Sequence, residues 1–293
     1  MLAAAVLAAL LSGGPAAAQD KVKVIATFSI LGDLVKNVGG ERVEVATLVG
    51  PNNDAHVYNP APADAKKVAD GKLVVMNGLG FEGWITRLVK ASGSKAPIVV
   101  ASKGVKPRTA AGGQGHDHDS DPHAWQSVAN VKLYAANIRD GLVAVDPAGK
   151  GTYEANATAY LGKLDALDKE VRDTIARIPA DRRRIITTHD AFGYFAQAYG
   201  VQFIAPHGVS TDAQPAAKEV ARIISQIKRQ KIPAVFLENI SDPRLIKQIA
   251  EETGAKVGGT LYSDALTDEK GPAPSYIDLI RHNIRTLSTA LLS

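Results

Sequence analysis

Eight short runs of β-branched and aliphatic residues punctuate the chain, at positions 22–27, 43–49, 72–77, 97–101, 184–188, 201–205, 234–238 and 257–262. Their length and enrichment predict strands buried in a sheet. The intervals are long enough for helices, so the order reads as repeated βαβ units with parallel pairing. Four strands fall in each half of the chain, which predicts two similar lobes.

A different period occupies the middle. Leu161, Leu164, Leu167, Val171 and Ile175 recur at spacings of three and four, the mark of one apolar helix face. Asp146 and Pro147 supply an N-cap and a first-turn proline, and Pro179 ends the pattern. Gly162 is where the helix could split in two, but an interior glycine costs only ~1 kcal/mol. A single helix over 147–178, ~45 Å long, would reach across both lobes. The expected fold is α/β: a lobe at 19–146 and another at 179–293, each with a mainly parallel four-stranded sheet flanked by helices, joined by one long rigid helix.

Residues 1–18 read differently again: a short apolar run, a Gly-Gly-Pro break, then Ala16, Ala17 and Ala18. This is the arrangement of a cleavable signal peptide, too short and interrupted to anchor in a bilayer. No Lys or Arg precedes the run, which leaves the true start open. Residues 106–122 are glycine-rich and polar without periodicity, and predict a mobile loop bearing His116 and His118.

Composition narrows the chemistry. With 45% hydrophobic and 22% charged residues, the 293-residue chain is an ordinary globular protein. A net charge of +4, with no basic stripe interleaved with aromatics, argues against nucleic acid as a partner. The absence of cysteine excludes disulfides, thiolate ligands and a lipid-bearing cysteine. An exported protein without anchor or spanning helix is expected in a periplasm.

Four residues carry candidate metal chemistry: His56 in Asp-Ala-His-Val-Tyr, His123 in Asp-Pro-His-Ala-Trp, His189 in Thr-Thr-His-Asp, and Asp264 in Tyr-Ser-Asp-Ala. In open α/β sheets ligands bind beyond the carboxyl ends of the strands. His56, His189 and Asp264 all follow expected strands, and His123 opens the helix after the glycine-rich loop. Brought together, they form a nitrogen and oxygen cage suited to zinc and related divalent ions. Tyr58 and Trp125 offer bulk to shield it. Alternatively, Asp264 caps the following helix. His207 would sit on the cleft rim, and His282 on an exposed helix face.

These segments resemble a known family. Ala26 to Asp33, Asp54 to Pro60, Asn77 to Gly80, Asp121 to Trp125, Thr188 to Phe195 and Leu261 to Asp264 are together similar to the solute-binding proteins of zinc and manganese ABC importers. The resemblance covers essentially the whole mature chain. It implies two lobes with one metal between them, bound by His56, His123, His189 and Asp264, two from each lobe. It also implies an importer permease as partner, a periplasmic metallochaperone as candidate loader, and a monomer. Manganese-specific relatives typically carry a carboxylate where His189 stands. Three imidazoles and one carboxylate therefore favour Zn²⁺, with Mn²⁺ the alternative. His116 and His118 resemble a shortened histidine-rich loop and are candidate auxiliary ligands.

Two other signals compete. Gly78-Leu79-Gly80-Phe81-Glu82-Gly83 matches a dinucleotide-binding pattern, but it follows the third strand, and Lys103 has the wrong charge for the ribose acid. A tight turn is the expected reading. A zinc hydrolase, with Asp190 or Glu238 as general base, would need an open metal position that four protein ligands remove, so no enzyme is expected.

Overall fold

The computed structural model describes residues 20–109, 120–212 and 215–293. The expected signal peptide and the candidate ligands His116 and His118 lie outside these residues. All eight expected strands form, four of them (those of the runs 72–77, 97–101, 184–188 and 201–205) shorter than the apolar runs that mark them. β1 (Val22–Phe28), β2 (Val43–Val49), β3 (Leu73–Met76) and β4 (Ile98–Val100) pair in the order β2-β1-β3-β4. β5 (Arg184–Ile186), β6 (Gln202–Ile204), β7 (Ala234–Glu238) and β8 (Lys256–Leu261) repeat that order as β6-β5-β7-β8. Every pairing between strands is parallel. In each sheet the first strand is interior and the chain winds away from it in both directions. That makes a switch point, where α/β sheets open a crevice.

Helices flank the sheets. α1 (Ser29–Gly39), α2 (Pro62–Asp70), α3 (Ile85–Ser92) and α4 (Val128–Val145) belong to the first lobe. α6 (Gly193–Tyr199), α7 (Ala217–Gln230), α8 (Arg244–Thr253) and α9 (Tyr276–Leu292) belong to the second. Between them α5 (Lys150–Ala176) runs unbroken through Gly162 for 27 residues, about 40 Å. It buries Leu164, Leu167, Val171 and Ile175 as the periodicity requires, whereas Leu161 is half-buried. Its start departs from expectation. Pro147–Gly149 form a separate 3₁₀ turn, with Asp146 at its N-cap position and Pro147 in its first turn, and the Asp146 carboxylate is engaged mainly elsewhere. Arg42 reaches it at 2.8 Å and the Tyr153 hydroxyl donates to it at 2.6 Å, and these stronger partners win.

The apolar core does not respect the lobe boundary. Val24 and Phe28 of β1, Tyr153 and Leu164 of α5, Phe236 of β7, and Leu279 and Ile284 of α9 belong to one continuous buried cluster. A smaller cluster, including Ile186, Ile223, Val235 and Ile249, lies between the second sheet and α7 and α8.

Candidate metal centre

The four sequence-predicted residues converge where the lobes meet, each offering one donor atom, all within 4.8 Å of one another. His56 Nε2 lies 3.2 Å from His123 Nε2 and 3.3 Å from Asp264 Oδ2. Asp264 Oδ1 is 3.6 Å from His123 Nε2, and Oδ2 is 3.1 Å from His189 Nε2. His123, His189 and Asp264 are wholly buried.

Local structure explains each placement. His56 rides the loop between β2 and α2. Its N–H donates to Asp54 Oδ1 at 2.8 Å, and the Trp84 indole holds the preceding carbonyl of Ala55 at 2.9 Å. His123 precedes a 3₁₀ turn, Ala124–Gln126, and not α4 itself. His189 lies three residues past β5, pairing in an isolated parallel bridge with His207. Asp264 follows β8 in a segment gripped from several sides. Asn283 of α9 bonds both the N–H and the carbonyl of Tyr262. Trp125 and Gln126 both donate to the Ser263 carbonyl, at 2.9 and 2.7 Å. His123 of one lobe and Asp264 of the other are thereby tied through their chain neighbours.

Two further carboxylates stand behind the imidazoles. Asp121 Oδ1 faces His123 Nδ1 at 2.8 Å, and Glu238 Oε2 faces His189 Nδ1 at 2.6 Å. Glu238 Oε1 also accepts from the N–H groups of Thr188 and His189. The first is a hydrogen bond and the second a close ion pair, and such partners bias which ring nitrogen carries the proton and aim the other at the centre. The candidate base Glu238 is thus occupied in orienting a histidine. Asp121 was legible only as the aspartate of Asp-Pro-His, and no role was read for it there.

The walls differ from expectation in one respect. Trp125 shields the cage, its ring 5.2 Å from that of His123, but Tyr58 packs on Trp84 and donates to Asp64. Phe81 takes the expected place of Tyr58, set edge-on to His56 at 4.7 Å. It is presented by the glycine-bearing turn. Gly78 (φ 86°), Leu79 (φ 54°) and Gly80 (φ 83°) all lie in the left-handed region, and a Cβ on Gly78 would meet Val100 at 2.5 Å. Glu82 then accepts from Thr27, Asn77 and Gly78 inside the lobe. The segment is a tight turn, as expected.

Burial opposes charge throughout the cage, and the neighbours decide the outcome. Burial would raise the Asp264 carboxyl, but His189 and His123 hold it well below the usual carboxylate range. Burial would depress His123, yet Asp264 and Asp121 push it up to about 9. His189 is likewise raised well above its ordinary value by Glu238 and Asp264, against burial. His56 is lowered, chiefly by burial. Neither Asp264 oxygen has a hydrogen-bond partner of good geometry among the described residues. A buried, ionised, unbonded carboxylate facing three imidazole nitrogens is costly unless a cation sits among them.

A cavity of about 480 Å³ opens beside the cage, lined by Asp54, Thr188, His207, Thr211, Asp242 and Arg244 among others. His207 is thus at the cleft rim as expected. His282 is half-buried against Tyr262 and contacts the Thr260 carbonyl at 3.0 Å, where an exposed position was expected.

Comparison with known proteins bears on this geometry. Residues 24–290 match the family model described as zinc-uptake complex component A, periplasmic (ZnuA). The chain is 36% identical to the iron-binding protein YfeA of Yersinia pestis over 281 residues, covering 96% of this chain and 90% of that one. It is 34% identical to the manganese-binding lipoprotein MntA of Halalkalibacterium halodurans over 272 residues, covering 93% and 89%. The periplasmic zinc-binding protein TroA of Treponema pallidum has the same fold, with a TM-score of 0.87 at 28% identity, over 92% of this chain and 99% of that one.

Proposed function

The chain belongs to the periplasmic zinc-uptake complex component A family, and from that premise we propose that it captures Zn²⁺ in the periplasm and delivers it to the permease of an ABC importer. It is a metal-binding substrate-binding protein of that transporter class and not an enzyme. His56, His123, His189 and Asp264 are the proposed ligands. Residues 19–146 and 179–293 are the proposed lobes, with 147–178 linking them.

The spacing of the donor atoms supports this reading most directly. A tetrahedral ion with bonds of about 2.0–2.1 Å holds its ligand atoms about 3.3 Å apart. Four contacts in the cage run from 3.1 to 3.6 Å, with Asp264 contributing both oxygens, and the whole donor set lies within 4.8 Å, a spacing that small shifts of side chains would close around one ion. Three neutral imidazoles and one carboxylate favour Zn²⁺ over Mn²⁺, which takes more oxygen and a higher coordination number. The relatives named for iron and manganese keep Mn²⁺ as the second reading.

Metal analysis of protein purified without added metal, followed by competition between Zn²⁺ and Mn²⁺, tests the cargo. Manganese retained against equimolar zinc would overturn the choice of metal. His189→Ala should weaken zinc retention by at least about a hundredfold, since loss of a ligand exceeds the 10–100-fold typical of its supporting partners. Unchanged affinity in that variant would overturn the ligand assignment.

A further inference from the structure

We propose that Arg108 is a positioning residue of this cage, acting on His123 through Asp121; the inference rests on the metal-capture reading above. Asp121 is completely buried. Its Oδ1 serves His123 twice, accepting from the backbone N–H at 2.9 Å and facing Nδ1 at 2.8 Å. Its Oδ2 is met by the Arg108 guanidinium. The Asp121 N–H donates in return to the Arg108 carbonyl at 2.9 Å, and Thr109 and Ser120 pair beside them. The carboxylate is therefore fixed at both ends. Without Arg108 its outer oxygen would be buried without a cationic partner, and rotation to recover one would pull Oδ1 away from the imidazole.

The second lobe completes the arrangement. Arg108 N–H donates to the Tyr194 hydroxyl at 3.2 Å, and the guanidinium lies 5.8 Å from the centre of that ring. Gly193 passes directly over the ion pair. A Cβ built there would overlap the Arg108 guanidinium and come 2.6 Å from Asp121 Oδ2. Glycine at 193 thus lets α6 approach a charge pair of the opposite lobe this closely, and a side chain there would displace the guanidinium.

The test is a double-mutant cycle read by zinc affinity against a chromophoric chelator, with Co²⁺ absorption as a report on the cage. Arg108→Gln should weaken Zn²⁺ binding about tenfold and shift the Co²⁺ ligand-field bands, and Arg108→Lys should recover most of the loss. Asp121→Asn should weaken binding comparably, and the double variant should be no worse than Asp121→Asn alone. Gly193→Ala, which keeps the arginine but displaces it, should reproduce the Arg108→Gln result and serves if that variant fails to fold. Additive losses, or an affinity for Arg108→Gln within twofold of wild type, would overturn the proposal. Wild type and His189→Ala are titrated alongside. If wild type takes up no zinc, or His189→Ala matches it, the capture reading itself fails and this inference with it.

Discussion

At the scale of single residues, protons and metal compete for the same nitrogens. His123 has an ordinary value of 6.5 and is pushed up to about 9, burial being outweighed by Asp264 and Asp121. A group raised on folding stabilises the metal-free protein fully below 6.5, and that stabilisation is lost as pH rises through 9. Zinc binding has the opposite trend, since ligands must shed protons to bind and fewer protons remain to be shed at high pH. The melting temperature of the chelator-treated protein should therefore fall between pH 6.5 and 9. Over the same range the gap between zinc-loaded and metal-free protein should widen. Calorimetry of both forms checks this, and a gap that narrows with rising pH would count against protonated His123 in the empty cage.

At the scale of elements, α5 offers a cleaner test, because its stability can be changed without touching the cage. Gly162 is exposed in the helix interior, and a Cβ built there meets nothing within 4 Å. Gly162→Ala should stabilise by about 0.5–1 kcal/mol through the unfolded chain and the helix, raising the melting temperature by about 1–4 °C. Zinc affinity should not move. A loss of stability would mean that α5 bends or packs at Gly162. The helix was legible from its spacing of three and four, and the eight strands from their short β-branched and aliphatic runs. The proposed ligands were legible because His56, His189 and Asp264 each follow a strand, and His123 stands in a short polar turn at the end of the glycine-rich loop. Phe81, Glu238 and the Arg108–Asp121 pair were not. Their roles depend on which strands and lobes become neighbours, and no local pattern around Phe81 or Arg108 distinguishes them from an ordinary turn or surface residue. The pairing of Asp146 with Arg42 was hidden for the same reason, because the two lie 104 positions apart.

At the scale of the molecule, the question is how far two lobes sharing one core can part. The buried cluster runs from β1 through α5 to α9, so wide separation would expose side chains that are now sealed. Directional bonds cross the same boundary. Ser29 Oγ accepts from the Leu266 N–H at 3.0 Å, Asn52 N–H donates to the Leu266 carbonyl at 2.9 Å, and the Tyr276 N–H donates to Asp33 at 2.9 Å. Trp125 and Gln126 hold the Ser263 carbonyl beside Asp264. A hinge that swung one lobe away would break all of these together, at a cost well beyond the differential affinity of 1–3 kcal/mol typical of coupling between sites. The expected route of loading and release is then movement of short segments at the cleft mouth, such as the loop of His56, where Val57 is 52% exposed. The expected consequence is a nearly constant overall shape. Small-angle scattering should give a radius of gyration of about 19 Å, equal within about 1 Å for metal-free and zinc-loaded protein. An increase of 2 Å or more on removing zinc would mean that the shared core parts after all, and that the lobes move as independent bodies.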